Sequence, residues 1–264
     1  MSAAAESRQR ALDGVLDGQH ASAALAGELF SVVDALGAQA TLRRALSDPS
    51  TPDEARAQLA ESLFGRRLGG AAVAVIAEAA RARWGAPSSF VAALERQGVR
   101  ALLRTVQAEG RLDELEDQLF KVERLVEANP ELSRALGDRL TPLEGRQRLL
   151  GDLIDGRVGA ATAQLARRAI AARQRTFGLT VDSYLTMAAE QRERAIATVT
   201  TATALTDEQK ARLRAALSRQ VGRDVNLRVV LDPAVIGGVR VSLGDEVIEG
   251  TVAARLDDAQ RKLT

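Results

Sequence analysis

The sequence predicts a mainly α fold, two tandem helical bundles followed by a small α+β C-terminal domain. Three observations predict it. Over residues 1 to about 194 the apolar residues recur at helical spacing, and the chain is 46% hydrophobic but only 3% aromatic. Its cores must therefore be assembled from Leu, Val and Ala, which suits closely packed helices. The chain also matches itself at a fixed shift of ninety residues, the signature of a repeated unit. Finally, over residues 225–250 (VNLRVVLDPAVIGGVRVSLGDEVIEG) the apolar period drops to two and Gly and Pro mark turns, as in short strands.

The repeat sets the organisation of the helical part. Leu29-Phe30 meets Leu119-Phe120, Val32 meets Val122, Ala38 meets Ala128 and Leu42 meets Leu132. Arg44-Ala45-Leu46 and Asp48 then meet Arg134-Ala135-Leu136 and Asp138. Thr51-Pro52, Glu54, Arg56, Leu59 and Leu63 meet Thr141-Pro142, Glu144, Arg146, Leu149 and Leu153 without a gap. The predicted domains are an extra helical bundle at 1–97, its repeat at 98–190 and the small α+β domain at 191–264.

Within each copy the punctuation is specific. Thr51-Pro52-Asp53-Glu54 and Thr141-Pro142-Leu143-Glu144 each predict a capping Thr, Pro at the first helical position and Glu two places later. Leu59 and Leu63, and Leu149, Leu150, Leu153 and Ile154, give the helices that follow an apolar face. Asn129-Pro130 predicts a capped helix, where the first copy has the weaker Gln39-Ala40. Residues 69–82 (GGAAVAVIAEAARA) and 159–172 (GAATAQLARRAIAA) are corresponding Ala-rich helices, placed by their small side chains at the bundle centres. Gly85-Ala86-Pro87-Ser88 ends the first copy's run. Residues 88–109 then read as one helix that closes the first copy and opens the second, with a bend expected at Gly98.

The last third reads strand, helix, strand, strand, helix. Residues 198–205 (TVTTATAL) are β-branched enough for a strand. Thr206-Asp207-Glu208-Gln209 is a capping box, and Leu213, Ala216, Leu217 and Val221 follow on one helical face before the stop at Gly222. Val225, Leu227, Val229 and Leu231 alternate as a half-buried strand that Asp232-Pro233 ends. Gly237-Gly238 turns the chain into Val239, Val241 and Leu243. Gly244-Asp245-Glu246 turns it again into a third short strand at Val247-Ile248. Thr251 is the expected N-cap of a last helix striped by Val252, Leu256, Ala259 and Leu263.

That C-terminal stretch resembles the C-terminal domain of the delta subunit of F-type ATP synthases, the oligomycin-sensitivity-conferring protein family. The matching residues are the apolar strand, Asp232, Ile236-Gly237-Gly238, the alternating strand, Gly244-Asp245, Val247-Ile248, Gly250-Thr251-Val252 and Arg255-Leu256. Residues 102–112 (LLRTVQAEGRL) and 129–136 (NPELSRAL) resemble the opening helix and the Asn-Pro helix of the family's bundle. The likeness covers about residues 98–264, and the bundle at 1–97 is additional.

Little else in the chain carries chemistry. The formal charge is +1, which gives no reason for binding to nucleic acid or anionic lipid. The absence of cysteine removes disulfides, thiolate catalysis and Cys-type metal sites. His20 is a lone loop histidine without partners for a zinc site. No phosphate-binding glycine motif is present. Asp113, Glu114, Glu116 and Asp117 read as a solvated helix face. Arg66-Arg67, Arg81, Arg83, Arg167-Arg168 and Arg173 lack interleaved aromatics to stack bases. Trp84, Phe177 and Tyr184 read as core or groove wall. The start, MSAAAESRQRALDG, has no apolar signal region, and the longest apolar run, residues 69–77, is far short of a membrane span. A soluble, cytoplasmic protein, peripheral to the membrane when a partner holds it there, is the expectation.

What remains is protein binding, and the resemblance says to what. It implies a non-catalytic stator subunit without cofactors or metals, at the cytoplasmic face of the bacterial cell membrane. Such a subunit links the catalytic head to the peripheral stalk so that proton flow drives ATP synthesis. It further implies that the N-terminal helix of an alpha subunit lies between the first and fifth helices of a bundle. The corresponding residues are Leu12 and Leu16 with Val73 and Ile76, or Leu102 and Val106 with Leu165 and Ile170. Core packing is the other reading of each. The Val252, Leu256 and Leu263 stripe is the candidate contact for the C-terminal end of the stalk's b subunit. A helical-repeat adaptor unrelated to ATP synthase is the alternative; an enzyme would need a convergent polar pocket for which the sequence offers no residues.

Overall fold

The computed structural model describes residues 3–172, 176–193, 195–221, 225–232, 235, 238–243 and 246–251. The chain divides into two compact units, Met1–Gln191 and Arg192–Thr264.

The first unit is all helix, and its helix boundaries repeat at the shift read from the sequence. Helix α1 (Ala3–Asp17) opens it, followed by α2 (Ala23–Ala38), α3 (Ala40–Ser47), α4 (Asp53–Phe64) and α5 (Gly70–Arg81). Helix α6 (Pro87–Ala108) ends the first copy and begins the second. Then come α7 (Leu112–Glu127), α8 (Pro130–Gly137), α9 (Leu143–Ile154), α10 (Ala160–Ala171) and α11 (Phe177–Glu193). Helices α3, α4 and α5 and their partners α8, α9 and α10 start and end ninety residues apart. One apolar core runs from Leu12 and Leu16 through Leu94 and Leu103 of α6 to Leu165 and Ala188. A smaller one, around Val126, Leu150, Ile154 and Ile170, belongs to the second copy alone.

The details that fix the helix starts differ from expectation. Neither Thr51 nor Thr141 caps a helix: α4 and α9 begin after Pro52 and Pro142, with no side-chain cap. The loops before them are closed by acids instead. Asp48 accepts from the Ser50 N–H at 2.9 Å, and Asp138 from the Leu140 N–H at 3.0 Å and the Thr141 hydroxyl at 2.8 Å. These acids close the turn before each helix, and in the second copy Asp138 takes the Thr141 hydroxyl that would otherwise be available to the helix start. Pro130 does occupy the first turn of α8, but the Asn129 amide points back and donates to Leu125 O at 2.6 Å rather than capping.

The Ala-rich helices α5 and α10 are capped from outside themselves. The Gly69 N–H donates to Glu28 of α2 at 3.0 Å, and the Gly159 N–H to Gln118 of α7 at 2.8 Å. Glu28 and Gln118 stand at the same place in the two copies. Gly98 serves close approach: a Cβ there would lie 2.6 Å from the Phe30 ring.

The second unit is a four-stranded sheet with α12 (Asp207–Val221) packed on it. Strands β1 (Ala195–Thr201), β2 (Val225–Leu231), β3 (Gly238–Leu243) and β4 (Glu246–Thr251) stand in the order β2-β1-β3-β4. β1 runs parallel to β2 from Ala195 opposite Val225 to Thr201 opposite Leu231, and antiparallel to β3. The first strand therefore spans 195–201 rather than 198–205, its ends set by the length of β2. The capping box forms as read: Gln209 N–H donates to the Thr206 hydroxyl at 3.2 Å, and Thr206 N–H to the Gln209 side chain at 2.8 Å. Val199, Leu217, Val225 and Val241 form the core, with Leu213, Leu227, Val229 and Val239 around it. Two apolar residues expected there are exposed, Ala216 and Leu231, the latter at the end of an edge strand. The Val252, Leu256, Ala259 and Leu263 stripe, Arg173, Gly222, Pro233 and Gly237 lie outside the described residues.

Candidate partner-binding seams

Each copy has a seam between its first and fifth helices, and the two seams are not in the same state. In the first copy the seam is formed by α1 and α5. A cavity of about 250 Å³ opens along it, lined by Ser7, Arg8, Ala11 and Leu12 on one side and Glu78, Arg81 and Ala82 on the other. In the second copy the same seam is formed by the later turns of α6 and by α10. There a cavity of about 250 Å³ opens only at one end, among Leu102, Val106, Leu115, Ala161 and Gln164, with Ala23 of α2 on its rim.

The rest of the second seam is filled from within the chain. Moving the first cavity's lining forward by ninety residues gives Gln97, Gly98, Ala101, Leu102 and Arg168 in place of Ser7, Arg8, Ala11, Leu12 and Glu78. Phe30 of α2 sits on those residues, its ring against Gly98 and 4.8 Å below the Arg168 guanidinium. Arg168 in turn donates to Asp34 of α2 at 2.6 Å and pairs with Glu95 of α6. The Tyr184 hydroxyl reaches the same Glu95 at 3.3 Å. Burial works against the charge on Arg168, but the two carboxylates outweigh it and raise its pKa above the ordinary guanidinium value. Burial, helped by Glu95, likewise pushes the Tyr184 phenol up, so it stays a neutral donor.

The α1 side of the first seam is pinned by ions instead. Asp13 takes Arg96 at 2.6 Å and Gln97 at 2.7 Å, and Arg100 Nη1 lies 2.7 Å from it, a contact of charge rather than of an aligned hydrogen bond. Arg100 also binds Asp17 at 3.0 Å, and Arg104 caps the end of α1 through Leu16 O at 2.5 Å and Gln19 O at 3.1 Å. Burial raises the Asp13 pKa, yet Arg100, Arg96 and Gln97 together hold it below the ordinary carboxylate value.

Of the residues read from the sequence as groove walls, Leu12, Leu16, Ile76, Leu102, Val106, Leu165 and Ile170 are buried and Val73 is half-buried. Leu12 reaches the first cavity, and Leu102 and Val106 the second. The residues that distinguish the seams, Arg8, Phe30, Gly98 and Arg168, were not legible as a set. The signal that could have found them was Gly98, a glycine in mid-helix where the other copy has Arg8. His20 is exposed in a loop. Arg81 pairs with Glu54 at 3.0 Å, Arg83 with Asp53 at 3.2 Å and Arg167 with Asp155 at 2.5 Å, so these guanidinium groups serve the fold. Glu114 likewise pairs with Arg111 at 2.9 Å. Among the described residues there is no cluster of His, Asp and Glu that could hold a metal, and no helix long and apolar enough to cross a membrane.

Comparison with known proteins gives the family. The family model described as "ATP synthase delta (OSCP) subunit" matches residues 95–263. The chain belongs to this family. It is 42% identical over 252 residues to "ATP synthase subunit delta" of Cutibacterium acnes, covering 96% of each chain. It is 41% identical over 263 residues to the protein of the same name from Streptomyces avermitilis, covering 99% of this chain and 96% of the relative. The matched length of those delta-family relatives takes in the first copy, which the family model leaves out. As a delta-family member the chain is a non-catalytic stator subunit of an F-type ATP synthase. It is part of the peripheral stalk that links the catalytic head to the membrane-anchored stalk, so that proton flow drives ATP synthesis. The alternative of an unrelated helical-repeat adaptor is not favoured.

Proposed function

We propose that the chain makes this link by gripping a helix of the head with one helical copy and the stalk with its C-terminal unit. The helix is the N-terminal helix of an alpha subunit, lying between the first and fifth helices of a copy. Leu12 and Leu16 with Val73 and Ile76, or Leu102 and Val106 with Leu165 and Ile170, are the apolar walls beneath it. The C-terminal end of the b subunit meets the Val252, Leu256 and Leu263 stripe. The complex holds the chain at the cytoplasmic face of the cell membrane, with no insertion of its own and no nucleic acid. The domains are the two copies, 1–97 and 98–190, and the module at 191–264.

One observation carries this reading: a cavity opens between α1 and α5 in the first copy, and another beside α6 and α10 in the second, where α7 also lines it. Several moderate contacts at separate sites add through effective concentration, so a joint of this kind resists torque without any single tight interface. The test is capture of the full chain from membranes solubilised in mild detergent. Alpha and b subunits should come with it in constant ratio. A chain recovered without either would overturn the assignment.

A further inference from the structure

Resting on that reading, we infer which seam receives the foreign helix: the α1–α5 seam of the first copy, with the partner offering an aliphatic side chain to Ala11 and a carboxylate to Arg8. The second seam already has its occupant. Phe30 and Asp34 of α2 sit there on Gly98 and Arg168, where a docking helix would place an apolar residue and, one turn later, an acid. The second seam thus shows the kind of contact this groove accepts, an apolar side chain beside an ion pair; in the first copy Glu78 replaces Arg168, so the basic group open to an incoming acid is Arg8 instead. In the first copy the equivalent surface is open. Ser7 and Ala11 are exposed there, whereas their counterparts Gln97 and Ala101 are fully buried.

The two seams also differ in what they would select. Arg8 stands where Gly98 makes room for an aromatic ring, so the first seam favours a smaller side chain. The Arg8 guanidinium lies 5.9 Å from the Trp84 ring, and its buried Nε has no hydrogen-bond partner among the described residues. Buried donors are rarely left unsatisfied, and an acid on the incoming helix supplies the acceptor. This also disfavours a second copy of the chain as occupant. Phe120 is its equivalent of Phe30 and is 55% exposed, but it would meet Arg8 in place of glycine.

The chain has no cysteine, which makes single-thiol labelling of the full protein a direct test. Ala11→Cys and, at the mouth of the other cavity, Glu109→Cys are each treated with a maleimide, alone and with purified catalytic head. Head should slow labelling at Ala11→Cys by about tenfold or more and leave Glu109→Cys unchanged, as expected of a site inside an interface against one outside it. Arg8→Glu should abolish that protection while leaving the helical content and melting temperature of the chain unchanged. Protection of Glu109→Cys alone would move the site to the second copy and overturn the inference. So would protection of Ala11→Cys by raising the chain's own concentration without head. If the unmodified chain binds neither head nor stalk, it is the stator contacts proposed above that fail, a result read independently of either thiol.

Discussion

The two helical copies have the same helices at the same spacing and yet solve opposite problems at their ends. The first copy lends its second helix to its neighbour and keeps its own first seam open. The second copy accepts that helix and leaves Phe120 of its own second helix, α7, exposed. Phe30 and Phe120 show the result: equivalent residues, 4% and 55% exposed. Exposed large apolar residues follow the same division. Phe120, Leu125, Leu140, Leu143, Leu149 and Leu179 lie in the second copy, and Leu63 in the first. A head-to-tail repeat of two units leaves one unused donor surface and one unused acceptor surface. Substitution at matched positions therefore separates what the fold needs from what its ends leave free.

The largest contrast should come from that pair. Phe30→Ala removes a ring seated between Gly98 and Arg168 and is expected to cost about 3–5 kcal/mol, read by urea or thermal denaturation. Phe120→Ala at the matched position should cost less than about 1 kcal/mol, because water already reaches much of that ring. Equal costs would mean that the seam is not where the two copies are joined.

Next comes the salt cluster above the ring. Arg168→Gln leaves Glu95 partly buried without its cation and breaks the tie to Asp34, for an expected loss of about 2–4 kcal/mol. The matched residue of the first copy is Glu78, a half-buried partner of Arg81 at 3.6 Å. Glu78→Gln should stay within about 0.5 kcal/mol.

Acid should act on α1 through Asp13, at a position where the second copy has no titrating group. Asp13 has a lowered pKa in the folded chain, so its contribution is fully present above the unfolded value of about 4 and is lost as pH falls through the lower folded value. Its counterpart in the second copy is Leu103, which does not titrate. Asp13→Asn should thus be less stable than the parent chain at neutral pH, and the gap should close below about pH 4. A gap that stays constant down to pH 2 would mean that the Arg96 and Arg100 contacts add nothing to folding.

How much of this was readable beforehand depended on whether the information was local or between elements. The duplicated helices, the shared α6, the capping box at Thr206 and the order of strands and helix along the last unit all rest on periodicity or near-neighbour chemistry. Sequence carries both directly. The Thr51 and Thr141 caps were misread because an Asp three residues earlier competes for the same turn, and spacing rules do not rank the two. The seams were read as equivalent because Leu12 and Leu102 look alike. What distinguishes them is the fit of Phe30 onto Gly98, a contact across sixty-eight residues between helices whose crossing no local pattern fixes. Arg168, grouped in sequence with exposed arginines, proved to be the buried tie between copies.

The smallest expected effect uses the second copy as a natural precedent for the first. Gly69 and Gly159 each begin an Ala-rich helix whose leading N–H groups have no partner in their own turn. Glu28 answers the Gly69 N–H, and Gln118 answers both the Gly159 N–H and the Thr162 hydroxyl, the latter at 2.8 Å. An uncharged amide oxygen is therefore sufficient for this cap in the same fold. Glu28→Gln keeps the acceptor and loses only the attraction of a carboxylate for a helix N-terminus, about 0.3–1 kcal/mol at an exposed site. Glu28→Ala loses the acceptor as well and should cost about 1 kcal/mol or more. Measured by chemical denaturation at low and high salt, the Gln variant should draw level with the parent as salt rises, while the Ala variant should not. If both stay equally low at high salt, the bond to Gly69 depends on the charge, and the two copies begin these helices by different means.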